Sequence, residues 1–111
     1  MKVENLMNRP VRTCKADDSL RVAAQLMWDF DCGCVAVVDD EQRAVGMITD
    51  RDICMAALTQ GRRLDDMLVS SAMSWRVISV HPEDSVDTAA DRLRANQVRR
   101  LPVVDDAGRV V

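Results

Sequence analysis

The sequence predicts an α/β fold in which one strand–helix–hairpin–helix unit occurs twice. Three observations lead there. An ungapped offset of 66 residues places Val3 on Val69, Met7 on Met73, Asp18-Ser19 on Asp84-Ser85 and Val37-Val38-Asp39-Asp40 on Val103-Val104-Asp105-Asp106, with roughly a third of the aligned positions identical. Within each copy, short β-branched runs are bounded by turn residues. A stretch with apolar residues at helical spacing follows each Asp-Ser pair. A duplicated block of this length is expected to bury the apolar faces of its two copies on each other. The division falls at residues 1–66 and 67–111.

The elements follow in chain order. Val11-Arg12-Thr13-Cys14 and its counterpart Val77-Ile78-Ser79-Val80 read as short strands. Asp17-Asp18-Ser19 predicts a helix start, with an N-cap side chain and acids at the positive end of the dipole. Leu20, Ala23, Ala24, Met27 and Phe30 continue at helical spacing, and Val86, Ala89, Ala90 and Leu93 repeat the pattern. Val35-Ala36-Val37-Val38, between Gly33 and Asp39-Asp40, predicts a buried strand. The turn at Asp39-Asp40-Glu41-Gln42 leads to a second strand, Ala44 to Ile48. A helix from about Thr49 carries Ile53, Met55, Ala56 and Leu58, and Gly61 ends it. In the second copy Val110-Val111 matches Ala44-Val45, so the equivalents of Gly46 onward are absent and that unit is expected to be truncated.

Bulk properties exclude several classes of function. A net charge of −3 and scattered basic residues, paired tightly only at Arg62-Arg63 and Arg99-Arg100, argue against a nucleic-acid partner. Trp28, Trp75 and Phe30 are the only aromatic residues, too few for a base-stacking surface. No stretch is apolar for long enough to span a bilayer, and no secretory core follows Lys2. The expected location is the cytoplasm, with Cys14, Cys32, Cys34 and Cys54 as reduced thiols.

The segment Gly46-Met47-Ile48-Thr49-Asp50-Arg51-Asp52 carries the most chemistry. Thr49 falls at a strand-to-helix junction, where free N–H groups and the helix dipole favour an anion. Its hydroxyl can donate to a phosphate oxygen. Asp52, three residues on, lies on the same side of the first turn, and a carboxylate there can accept from both hydroxyls of a ribose. Gly46 would let strand backbone come close to a ligand. Thr-x-x-Asp ahead of an apolar run also fits a capping box, and on this heptad alone capping stands ahead of ligand binding.

The repeat adds weight to the ligand. With Asp18-Ser19-Leu20, Ala23-Ala24, Val37-Val38-Asp39, the Gly46–Asp52 heptad and Val98-Arg99-Arg100-Leu101-Pro102-Val103-Val104-Asp105 in that order, the chain resembles a CBS-domain pair, or Bateman module. The resemblance covers essentially the whole chain. It implies tandem units packed about a pseudo-two-fold axis, with AMP, ADP, ATP, NAD or an S-adenosyl compound bound in a cleft between them. It also implies that Thr49 contacts phosphate and Asp52 the ribose. Thr13 and the Cys34-Val35-Ala36 edge would wall the adenine, and Arg51, Arg99 and Arg100 would complete the nucleotide site with Gly46. The chain departs from the pattern where unit one has Gly33-Cys34 against Arg99-Arg100, and Ala36 against Pro102. The implied role is regulatory, with ligand binding coupled to the arrangement of the units. A homodimer is expected, with a regulated enzyme or transporter as the partner. A ligand-free pair mediating self-association is the alternative.

Other candidates fit blander roles. Cys32-Gly33-Cys34 lacks the second spaced pair of a structural zinc site and is read as a pair of ordinary buried thiols. His81, before Pro82 in a turn, has no evident nucleophile or metal partner in the sequence and is read as a surface residue. Asp39-Asp40-Glu41 aligns with Asp105-Asp106-Ala107 and reads as a solvated hairpin turn, not a cation site. With four glycines and no Walker or Rossmann fingerprint, neither an enzymatic activity nor a metal centre is expected.

Overall fold

The computed structural model describes residues 1–7 and 11–111. The regular elements are β1 (Thr13–Lys15), α1 (Leu20–Asp29), β2 (Cys34–Val38), β3 (Ala44–Thr49), α2 (Asp50–Gln60) and α3 (Val86–Asn96), with 3-10 turns at Val3–Asn5, Leu64–Asp66 and Val69–Ser71. Sheet order is β1-β2-β3. β1 runs parallel to β2 with Thr13 opposite Ala36, and β2 runs antiparallel to β3 with Cys34 opposite Thr49.

The pleat divides the sheet residues between two faces. Cys14, Val35, Val37 and Ile48 pack against α1 and α2, where they meet Leu20, Ala23, Met27, Ile53 and Ala56. Thr13, Cys34, Ala36, Met47 and Thr49 fall on the opposite face by register. The first face makes the core of unit one. It is completed from the other half of the chain, by Met67, Val69 and Met73.

That exchange is reciprocal and obeys the repeat. Leu20 N–H donates to the Met67 carbonyl and Val69 N–H to that of Asp18, each at 2.8 Å. Sixty-six residues on or back, Val86 donates to Met1 at 2.9 Å and Val3 to Asp84 at 2.8 Å. The hairpins also meet on this symmetry. Arg43 bridges its own counterpart Arg109, while Ala44 donates to Gly108 at 3.0 Å and Val110 to Gln42 at 2.9 Å. A pseudo-two-fold axis therefore passes between Arg43 and Arg109, and each unit's entry segment closes the other unit.

Several local expectations change. β1 begins at Thr13, not Val11, and of Val77–Val80 only Val80 bridges, to Val103. The ladder of unit two is thin because its hairpin pairs only at Val104 and Val110 among the described residues. Ser19 occupies the N-cap of α1 without a side-chain hydrogen bond, and Asp18 instead accepts from Lys15 N–H at 2.8 Å. Ser85, its counterpart, does cap α3, accepting from Thr88 N–H at 3.0 Å. At the end of α2 Gly61 has φ 62°, the left-handed cap the sequence predicts.

The units differ in closure. Leu20 in α1 is fully buried, whereas no residue of α3 is. Val86, Ala89 and Leu93 face a cavity. No helix is long and apolar enough to cross a membrane among the described residues.

Candidate ligand-binding cleft

The cleft face of the sheet ends at Thr49, the N-cap of α2. Its φ of −115° and ψ of 165° leave the strand conformation intact up to the helix. Thr49 Oγ1 accepts from Asp52 N–H at 3.1 Å, and Asp52 Oδ2 accepts from Thr49 N–H at 2.9 Å. The capping box foreseen as one reading of Thr-x-x-Asp is thus formed. It uses one carboxylate oxygen of Asp52 and pins the first turn of α2 beside β2, where Asp50 N–H donates to the Gly33 carbonyl at 3.0 Å.

Arg100 reaches this corner from unit two. Its guanidinium lies so close to Gly33 that a Cβ there would stand 3.5 Å from one guanidinium nitrogen and 3.2 Å from Asp50 Oδ2. A Cβ at Gly33, the counterpart of Arg99, would therefore lie at van der Waals distance from Arg100 and close to the Asp50 carboxylate. The first three N–H groups of α2, expected to be free for an anion, are taken up by the Gly33 carbonyl, Asp50 Oδ1 and Thr49 Oγ1, which leaves the Arg100 guanidinium and the Thr49 hydroxyl proton as the donors for a phosphate or carboxylate. Arg99 and Arg100 are exposed and line a cavity of about 700 Å³ together with Cys34, Ala36 and Met47. Arg12 stacks over Phe30 at 3.7 Å along the same wall.

Other predicted site residues lie elsewhere. Val35 turns its side chain into the core with Leu20 and Ile48, so only its backbone can face the cleft. Gly46 also falls on the core side. The backbone that approaches it is that of Ser74, and a Cβ would sit 2.2 Å from the Ser74 carbonyl oxygen. Arg51 is exposed on the first turn of α2, its N–H donating to Asp50 Oδ1 at 2.8 Å. Thr13, Thr49 and Asp52 lie outside the wall of the cavity, beyond its Cys34–Ala36 edge. Sequence reasoning missed Arg12, Phe30 and Met47 in that wall. Met47 was accessible to it, because strand alternation from Thr49 puts Met47 on the same face.

The four cysteines are free thiols, and Cys32 and Cys34, expected to be buried, are partly exposed because they sit at the edge of the cleft; only Cys14 is buried. Burial raises the Cys34 pKa, and the nearby Arg100 charge offsets this only in part. Cys14 is pushed from its ordinary 9.0 to about 12, by burial first and by Asp18 second. Below pH 9 both folded and unfolded chains hold this proton. Between 9 and 12 only the folded chain does, so stability is expected to fall as pH rises through 9, by at most about 1.4 kcal/mol per pH unit from this group. Denaturant titrations from pH 7 to 11 test this, since Cys14→Val, which installs the residue of unit two, should remove that part of the slope.

His81 is half-buried, and its Nδ1 lies 3.0 Å from the Val104 carbonyl oxygen. The fold brings it to Glu83 and to Asp106 of the second hairpin. That cluster was not legible as a group in the sequence, where its members are spread over two segments.

The fold defines a tandem-unit α/β module with a cleft lined by both units, and comparison with known proteins places it. The family model described as CBS domain matches residues 3–59 and 69–111, one match for each copy. The chain belongs to the CBS-domain family. It is 36% identical over 104 residues to the CBS domain-containing protein YhcV of Bacillus subtilis, covering 93% of this chain and 72% of that protein. It is 29% identical to the uncharacterised protein MK0525 of Methanopyrus kandleri, covering all of this chain but 57% of that one. Among solved structures it is similar to the CBS domain pair of protein MJ0100 in complex with 5′-methylthioadenosine and S-adenosyl-L-methionine, with a TM-score of 0.89 and 27% identity over 100% of this chain and 86% of that chain. Enzymes also match, and in an inosine-5′-monophosphate dehydrogenase of Methanocaldococcus jannaschii the chain spans 21% of the length.

Proposed function

We propose that this chain is a regulatory module that binds an adenosyl ligand between its units and is not itself catalytic. The observation that carries the reading is the placement of Arg100, from one unit, beside Gly33, Asp50 and the start of α2 in the other. A ligand at that corner touches both units, so its binding free energy depends on their arrangement. We assign the ribose hydroxyls to Asp52, through the Oδ1 oxygen that the cap does not use. The phosphate or other polar end goes to Thr49, Arg99 and Arg100, with Arg51 at the rim. The adenine lies along Thr13, Cys34, Ala36 and the Val35 backbone. The match to a CBS pair in complex with methylthioadenosine and S-adenosylmethionine supports an adenosyl ligand, in a set that includes AMP, ADP, ATP and NAD. Gly46 contributes by admitting Ser74, not by touching the ligand.

We further propose a cytoplasmic homodimer, in which α1 and α2 supply apolar contact through Trp28, 83% exposed, and Leu58, 75% exposed. The regulated partner is an enzyme or transporter, in line with the enzymes that contain such a pair as a fraction of their length. A ligand-free pair for self-association is the competing reading.

Asp52→Ala tests the assignment. Calorimetry is expected to show ligand affinity weakened by about 1.5–3 kcal/mol, the scale of hydrogen bonds to a charged group. Apo stability should fall by only about 1 kcal/mol, through the lost cap. A 2′-deoxy analogue should lose more affinity on the parent than on the variant. Equal losses on both would remove Asp52 from the ribose. If none of AMP, ADP, ATP, NAD or S-adenosylmethionine shifts the melting temperature at millimolar concentration, the ligand-free pair is the better account.

A further inference from the structure

We propose that unit two carries a surface site for a divalent metal ion of the zinc type, held by His81, Glu83 and Asp106. Ligand-capable atoms of the three side chains lie within 4.8 Å of one another. Groups bound to one ion at about 2.0–2.2 Å stand at separations of this order. The imidazole is also oriented for the task. Its Nδ1 is 3.0 Å from the Val104 carbonyl oxygen, and as a donor there it leaves the lone pair on Nε2. A backbone carbonyl behind a ligating histidine is the usual device for setting tautomer and ring direction.

The repeat supplies an independent argument. Positions 81, 83 and 106 correspond to 15, 17 and 40 of unit one, which are Lys15, Asp17 and Asp40. There Lys15 Nζ lies 2.8 Å from Asp40 Oδ1, and Asp40 first, then Asp17 and Asp18, favour its charged form. In unit one, then, a covalently attached ammonium sits among carboxylates. Unit two retains carboxylates at both counterpart positions and replaces the ammonium with an imidazole, a group that can bring a lone pair instead of a charge. A cation from solution satisfies that set, and imidazole with carboxylates suits zinc better than magnesium or calcium. Water completes the coordination at this exposed position.

Such an ion ties the turn before α3 to the hairpin whose Arg109 bridges Arg43 of unit one. It therefore stabilises the thinner of the two units. The site stands apart from the nucleotide cleft and does not depend on it.

The test is a zinc titration of the purified chain by calorimetry and thermal melting, with cobalt as a spectroscopic substitute. Zinc is expected to bind one ion per chain and to raise the melting temperature. His81→Lys recreates the side chain of unit one and should abolish the zinc-induced shift, which is read against the variant's own metal-free melting temperature because the contact with the Val104 carbonyl is lost too. Asp106→Asn should weaken zinc by about tenfold or more. The cobalt complex should lack thiolate charge-transfer absorption. No zinc uptake at millimolar ion, unchanged affinity in His81→Lys, or a thiolate band pointing to Cys32 and Cys34 would each overturn the site.

Discussion

Leu20→Ala is expected to cost about 3–5 kcal/mol of folding stability, and Val86→Ala at the matching position about 1 kcal/mol. Leu20 is completely buried under Val35, Val37, Ile48 and the imported Met67 and Val69. Truncation there removes apolar contact on every side and leaves a cavity that rigid neighbours cannot fill. Val86 is only half-buried and already faces open space, so little packing is lost. Chemical denaturation of the two variants under identical conditions measures the difference. Equal costs would mean that unit two closes its core in solution as tightly as unit one.

Gly46→Ala is expected to cost a comparable amount, about 3–5 kcal/mol. The added methyl would stand 2.2 Å from the Ser74 carbonyl oxygen and 2.3 Å from Met73 Cε. Met73 has a flexible end that can move. Ser74 cannot, because its backbone exchanges two hydrogen bonds with Met47, at 3.0 and 2.9 Å. Relieving the clash breaks or stretches those bonds, adding about 1 kcal/mol for each to the overpacking strain. The loss should appear in unfolding curves without ligand. A variant as stable as the parent would mean that the segment at Ser74 moves freely against β3.

The cap at Thr49 and Asp52 shows how far a local pattern carries. Spacing of three at a strand-to-helix junction predicts the two reciprocal hydrogen bonds, and they form at 2.9 and 3.1 Å. The same spacing could not say which carboxylate oxygen remains for a ligand. Gly46 shows the opposite case. A glycine within a strand signals close approach, but whether ligand or backbone approaches depends on a segment 28 positions away, at Ser74. Val35 illustrates a third limit: with Val, Ala and Val in succession, hydrophobicity marks the strand as buried and does not tell its core face from its cleft face.

By itself the sequence determined the duplication, the strand and helix segments of unit one, the left-handed stop at Gly61 and the capping box at Thr49 and Asp52. Each rests on contacts within a few residues or on identity between copies, which a linear chain displays directly. Only the tertiary structure decided that residues 67–73 close unit one while residues 1–5 close unit two. It also decided that Arg100 stands over Gly33 and that His81 meets Asp106. These depend on how two similar surfaces pack about one axis. The repeat makes the two contact sets equivalent, but the choice between packing within a copy and exchange between copies is set by the three-dimensional fit of Met67, Val69 and Met73 into the space that α1 and the sheet leave open.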